Sequence, residues 1–249
     1  FYQMVIFFAY GALIFAFKKT KMKKALVTGA NKGIGYETAR QLLQKEMHVY
    51  IGCRNVESGA DAVAKLKAEG LLHVEAIRLD VTSENSVKIA REEISKKTDV
   101  LDVLINNAGI NGGRQPYTAL EATSEEFQAA FDTNVIGVAR VTKEFLPLLQ
   151  KADQPRIVNV STSVGSLSLQ SDPNWPAYHY AKYAVYAASK AALNMYTIHL
   201  AYELRDTNFK VNAVCPGYTS TDFTFNNGGP VNIAAERIVK YALIEQDGP

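Results

Sequence analysis

Thr28-Gly29-Ala30-Asn31-Lys32-Gly33-Ile34-Gly35 is the stretch that decides the fold. It follows the short apolar run Ala25–Thr28 and leads into Gly33–Gln44, whose apolar spacing predicts a helix. Glycines at 29, 33 and 35 permit a tight turn and a close approach to the backbone. The free N–H groups at the helix start then suit a pyrophosphate. A Gly-rich turn alone is weak evidence, but here it has the strand–turn–helix context that opens a βαβ unit.

Strands and helices alternate outward from that turn. Further strands are expected at His48–Cys53, Val74–Leu79, Val103–Ile105, Arg156–Val160 and Lys210–Val214. Helices are expected at Ala60–Glu69, Asn85–Lys96 (capped by Ser83 or Thr82), Ser124–Leu149 (capped by Ser124), Tyr186–Arg205 and Ile233–Leu243. Such alternation predicts an α/β fold: one Rossmann-type, doubly wound parallel sheet covered on both faces. With 249 residues, 47% of them apolar, the chain fits a single domain, here residues 22–249.

Composition excludes several classes. Two cysteines, Cys53 and Cys215, lie far apart, so free thiols and a reducing compartment are expected. Four scattered histidines and no cysteine cluster give no metal site. The net charge of +2 hides an asymmetry, because residues 1–24 hold five lysines and no acid. The remainder carries 22 basic and 25 acidic residues, and no basic stripe points to nucleic acid.

Residues 1–21 form an apolar and basic segment of their own. Phe1 to Phe17 is at the lower length limit of a membrane-spanning helix. The lysines after it would leave the domain in the cytoplasm. Alternatively the segment is upstream translated sequence, and a cytoplasmic domain begins at Met22. A membrane partner is expected only if residues 1–17 are an anchor.

The end of the second strand reads cofactor choice. Gly52-Cys53-Arg54-Asn55 has no acid to bind a ribose 2′-hydroxyl. Arg54 can instead pair with a 2′-phosphate, and Lys32 adds a second charge, which favours NADP(H) over NAD(H). Otherwise both are solvated surface charges.

Thr28–Gly35, Asn106-Asn107-Ala108-Gly109, Tyr186-Ala187-Ala188-Ser189-Lys190 and Pro216-Gly217 occur in an order and spacing that resembles the short-chain dehydrogenase/reductases. The likeness runs from Met22 to the C-terminus. Asn31-Lys32-Gly33 with Arg54 looks most like the carbonyl reductase branch. The resemblance implies that Tyr186 is the general acid, with Lys190 one helical turn on lowering its pKa and bonding the nicotinamide ribose. It implies that Asn134 holds a water linking Lys190 to solvent. Gly29, Asn31, Lys32, Gly33, Ile34 and Gly35 would form the cradle, and Asp80 and Val81 the adenine site. Asn107, Ala108 and Gly109 would line the ribose. Pro216, Gly217, Thr219 and Thr221 would hold the carboxamide end. Read without the family, Asn134 is a polar helix residue and Asp80 a helix-entry residue.

Two departures stand out. The family's substrate-orienting serine falls at Thr162, which keeps a hydroxyl but adds a methyl; Ser163 is the fallback. The interval from Thr162 to Tyr186 is about twice the family's usual length. It contains a second Tyr-x-x-x-Lys, Tyr178 to Lys182, but Tyr186 runs into the better amphipathic helix. Its tyrosines fit either an aromatic cover or a substrate-pocket wall. The insertion resembles one that favours a monomer.

The resemblance implies an NADPH-dependent carbonyl reductase acting on a small apolar ketone or aldehyde. The alternatives are a non-catalytic NADP-binding regulator and a membrane-attached steroid or lipid reductase. The family continues with a seventh strand after the last helix; here it is expected to be absent at the C-terminus.

Overall fold

The computed structural model describes residues 2–9, 12–19, 21–113 and 118–245. The N-terminal segment is not a spanning helix. Strands β1 (Tyr2–Ala9) and β2 (Ala12–Lys19) pair antiparallel, with Tyr2 opposite Lys19. The runs are rich in residues that favour strands, Val5, Ile6, Phe7 and Phe8 on one and Ile14, Phe15 and Phe17 on the other. Among the described residues no helix is long and apolar enough to cross a membrane.

The main sheet has six parallel strands: β3 (Lys24–Thr28), β4 (His48–Cys53), β5 (Val74–Arg78), β6 (Val103–Asn106), β7 (Arg156–Val160) and β8 (Lys210–Val214). Their spatial order is β5-β4-β3-β6-β7-β8. The chain reverses its direction of travel across the sheet between β3 and β6. A crevice opens at such a switch point, beyond the strands' carboxyl ends. Asp247–Pro249, which bore on the expected seventh strand, lies outside the described residues.

Both faces are covered, and the strands alternate between them. Ala25, Val27, Val49, Ile51, Val103 and Ile105 point to one core, with α1 (Gly33–Gln44), α2 (Val56–Ala68) and α8 (Val231–Ala242). Leu26, Tyr50, Leu104 and Ile157 point to the other, with α3 (Glu84–Ser95), α5 (Gly137–Leu149) and α7 (Ala184–Glu203). The period of two is that of a strand buried on both sides.

The expected helix Ser124–Leu149 is three pieces. α4 (Ser124–Phe131) passes through a π-turn, Asp132–Ile136, into α5. Its cap is Thr123, not Ser124: Thr123 Oγ1 accepts the Glu126 N–H at 3.3 Å, and Glu126 Oε2 accepts the Thr123 N–H at 3.0 Å. The reciprocal pair outcompetes a lone serine hydroxyl. α2 starts four residues earlier than expected, because Asn55 Oδ1 accepts the Ser58 N–H at 2.7 Å. Ser83, one of the two caps considered, caps α3. The long insertion contributes α6 (Leu167–Ser171) and a series of turns before α7.

Candidate active site

The switch point is bolted by side chains of the sequence motifs. Thr28 Oγ1 accepts the backbone N–H of Asn107 and of Ala108, each at 3.0 Å. Asn107 Nδ2 donates to the carbonyls of Thr28 at 2.9 Å and Gly29 at 3.1 Å. Asn107, expected at a ribose, is therefore committed as a donor to the Gly-rich turn. Gly29 and Gly33 have φ of +64° and +58°, which a side chain rarely adopts. A Cβ on Gly35 would lie 2.4 Å from Asn107 Nδ2 and 2.6 Å from Gly29 O.

This turn fits a dinucleotide phosphate. Lys32 is the N-cap of α1 and makes no side-chain cap bond. The first N–H groups of α1, from Gly33, Ile34 and Gly35, have no acceptor within their own helix and lie at the crevice. Asn31 Nδ2 reaches Ser58 Oγ at 3.3 Å and so ties the turn to the start of α2, beside the exposed Arg54. Lys32 pairs with Asp222, Nζ to Oδ2, at 2.7 Å.

Two adenine-side candidates are partly spent locally. Asp80 Oδ1 accepts from the N–H and the hydroxyl of Thr82, at 3.0 and 2.8 Å. That is the helix-entry geometry, and among the described residues it leaves Oδ2 unengaged. The Val81 side chain is buried, and a Cβ on Gly137 would lie 2.9 Å from its Cγ2. Its carbonyl accepts from Arg140.

Tyr186 and Lys190 stand on successive turns of α7. The Lys190 ammonium is 5.8 Å from the Tyr186 ring centre and donates to Val160 O at 2.7 Å. Lys190 is buried, and burial lowers its pKa from 10.5 to about 8. The expected depression of Tyr186 is not found. Burial pushes the phenol above its usual value, and Cys215 adds to the rise. Desolvation is the larger cause of the rise, and the Lys190 ammonium is drawn to Val160 instead.

Asn134 sits in the π-turn, fully buried. Its Oδ1 accepts the Ile110 N–H at 2.9 Å; its Nδ2 donates to Ile110 O at 2.8 Å and to Ser189 Oγ at 2.9 Å. Ser189 donates in turn to Tyr186 O at 2.8 Å. Both amide donors of the side chain and one acceptor position are thus used within the protein. π-Turns widen the helix and recur at functional sites. A Cβ on Gly109 would lie 3.2 Å from Asn134 Oδ1 and 3.7 Å from Lys190 Nζ, so three distant motifs meet there.

Thr162 caps the one-turn 3-10 helix Ser163–Gly165, its Oγ1 accepting the Val164 N–H at 3.2 Å. Accepting leaves the hydroxyl proton available to donate. Gly165 packs on α7 at Lys190, with room for no side chain: a Cβ would be 2.8 Å from Lys190 C. The Ser163 N–H donates to Cys215 Sγ at 3.2 Å. In the second Tyr-x-x-x-Lys the lysine is engaged by its own surroundings. Lys182 Nζ lies 3.8 Å over the Tyr178 ring and donates to Gln170 O and Oε1, pinning the stretch before α7 to α6 within the insertion.

Pro216, Gly217, Thr219 and Thr221 follow β8. Pro216 O accepts from Arg237 Nη1 at 2.9 Å, and the Thr219 hydroxyl donates to Gly217 O at 2.9 Å. Thr221 starts the turn Asp222–Thr224. Phe223 in that turn lies 5.3 Å, centre to centre, from the Tyr186 ring. Ser189, Cys215 and Asp222 were not singled out by sequence for a place here. Ser189 and Cys215 lie inside or beside quoted motifs, but only packing shows whom they bond.

Fold and site together define an oxidoreductase on a dinucleotide-binding sheet. A family model described as short chain dehydrogenase matches residues 23–229. A (+)-neomenthol dehydrogenase of Capsicum annuum is 32% identical, over 93% of this chain and 95% of the relative. The structure of salutaridine reductase from Papaver somniferum aligns with a TM-score of 0.78 at 31% identity, over 91% of this chain and 97% of that one. An NADPH-bound carbonyl reductase from chicken fatty liver aligns with a TM-score of 0.78 at 26% identity, over 90% and 93%. The chain belongs to the short-chain dehydrogenase family.

Proposed function

We propose that the protein is an NADPH-dependent carbonyl reductase for small apolar ketones, with Tyr186 as its proton donor. The meeting of Asn134, Gly109 and Lys190 beside Tyr186, at the mouth of the switch-point crevice, carries this reading. The relatives support the reaction class, since their names describe neomenthol dehydrogenation and salutaridine reduction.

When bound, NADPH supplies a hydride. The protein's part is to orient and to hold protons. The N–H groups of Gly33, Ile34 and Gly35 would take the pyrophosphate, and Arg54 and Lys32 the 2′-phosphate. The exposure of Arg54, with no ion pair among the described residues, supports that role. So does the chicken carbonyl reductase, which aligns with this chain and carries NADPH in its crystal structure. Asp80, Asn107, Ala108 and Gly109 would border the nucleoside halves, and Thr219 and Thr221 the carboxamide.

Tyr186 keeps its phenolic proton throughout the physiological range, because burial raises its pKa. A protonated phenol can donate to the oxygen of a carbonyl being reduced. The Thr162 hydroxyl would donate to the same oxygen and fix the carbonyl's direction. Lys190, charged below about pH 8, would steady the oxygen side of the site electrostatically. Phe223 gives the pocket an apolar wall against Tyr186.

The test is NADPH consumption against a panel of cyclic and open-chain ketones, with NADH and Tyr186→Phe alongside. Turnover with NADPH that collapses in the variant is the expected result. Undiminished turnover in Tyr186→Phe, or equal turnover with NADH, removes the corresponding assignment.

A further inference from the structure

We infer that Asp222 is a cofactor-specificity residue: it competes with the ribose 2′-phosphate of the dinucleotide for the ammonium of Lys32. The inference rests on the NADP(H) reading above and adds a residue 190 positions from Lys32 in sequence.

The pair joins the Gly-rich turn to the segment after β8, with Lys32 Nζ 2.7 Å from Asp222 Oδ2. Asp222 does not reach there on a loose tether. The Thr221 N–H donates to Thr224 Oγ1 at 3.1 Å, and Thr224 Oγ1 donates to Thr219 O at 2.5 Å. The Asn226 N–H donates to Thr221 O at 2.8 Å. The turn lies directly on the cradle, since Thr221 Cγ2 is 3.5 Å from where a Gly33 Cβ would stand.

The opposite flank of the cradle is also fixed. Asn31 bonds Ser58, and Ser58 bonds Asn55, so the Gly-rich turn abuts the chain immediately after Arg54. Lys32 therefore lies between an acid on one side and the Arg54 corner on the other. Paired with Asp222, it contributes no net charge to that corner. Both partners are 68% exposed, and an exposed ion pair is weak and exchangeable. A phosphate carries more charge than a carboxylate and accepts more hydrogen bonds. It can draw Lys32 away, leaving Asp222 unpaired near a like charge. Asp222 thereby opposes the 2′-phosphate at the point where Lys32 favours it.

Calorimetric titration of 2′,5′-ADP and 5′-ADP tests this, using the full chain, Asp222→Asn, Lys32→Gln and the double variant. Asp222→Asn should tighten 2′,5′-ADP about two- to fivefold relative to 5′-ADP. The gain should shrink at high salt and vanish in the Lys32→Gln background. An unchanged or lowered ratio in Asp222→Asn overturns the inference, as does a gain that persists without Lys32. If the unaltered chain binds both nucleotides equally, the NADP(H) reading itself falls. Preference for 2′,5′-ADP with no response to Asp222→Asn overturns only the role of Asp222.

Discussion

Lys190 donates to the carbonyl of Val160 at 2.7 Å, inside a pocket whose dryness pulls the ammonium down to about pKa 8. The lysine is thus held in place by a backbone oxygen at the end of β7, and its charge is precarious near neutral pH.

That shift makes stability depend on pH. Between about pH 8 and 10.5 the unfolded chain binds a proton at this lysine that the folded chain has shed. Stability contributed by Lys190 therefore rises through that window, and below it the cost of the buried charge is fully present. The shift corresponds to about 3 kcal/mol. Thermal melts of the unaltered chain and Lys190→Met across pH 7 to 10.5 should converge or cross, the unaltered chain gaining as pH rises. A constant gap would contradict the assignment.

Tyr186→Phe should lower kcat for ketone reduction by about 10²- to 10⁴-fold, the range of a lost general acid. Circular dichroism and the melting temperature should stay near those of the unaltered chain. The ring remains to pack on Phe223, and among the described residues no hydrogen bond that ties the fold together runs through the phenol oxygen.

Asn134→Ala should destabilise the fold by about 2–4 kcal/mol, read as a lower urea midpoint at constant slope. Its carboxamide satisfies both the N–H and the carbonyl of Ile110 and reaches Ser189. Ser189→Ala removes only the last of these partners, together with the bond to Tyr186 O, and should cost about 1 kcal/mol or somewhat more.

Gly35→Ala should loosen the switch point. The new methyl meets Asn107 Nδ2 and Gly29 O, so the bonds that tie β6 to the Gly-rich turn must shift. A loss of about 1–3 kcal/mol is expected. Nucleotide affinity, measured by titration, should fall with it.

Phe223→Ala should widen the pocket over Tyr186. KM for small apolar ketones should rise, while bulkier ketones gain in kcat/KM relative to them. If the ratio between small and bulky substrates does not move, Phe223 is no wall of the substrate pocket.

Much of the architecture is legible without coordinates. The strands at 48–53, 156–160 and 210–214 fall where the short, mostly apolar runs place them, even on β8, where only Val214 is buried. Helix boundaries were less legible. Ser124 and Thr123 are both good caps, and only the reciprocal bond to Glu126 separates them. The π-turn at Asp132–Ile136 leaves no mark in the periodicity, since one extra residue in a turn shifts the apolar stripe by too little to read. The N-terminal run shows the same limit. Its hydrophobicity is compatible with a spanning helix or with a paired hairpin, and pairing partners lie outside any local window.

The sequence by itself determined the family and the parallel sheet. Local periodicity and residue order are enough for these, because the βαβ path permits essentially one handedness of winding. Only the tertiary structure decided what each side chain does. It spent the Asn107 amide donors on the Gly-rich turn, committed Lys182 to the insertion, turned Lys190 toward Val160, and placed Asp222 against Lys32. A hydrogen-bonding group goes to the best partner within about 3 Å, and in these four cases that partner lies from 12 to 190 positions away, beyond the reach of a local reading.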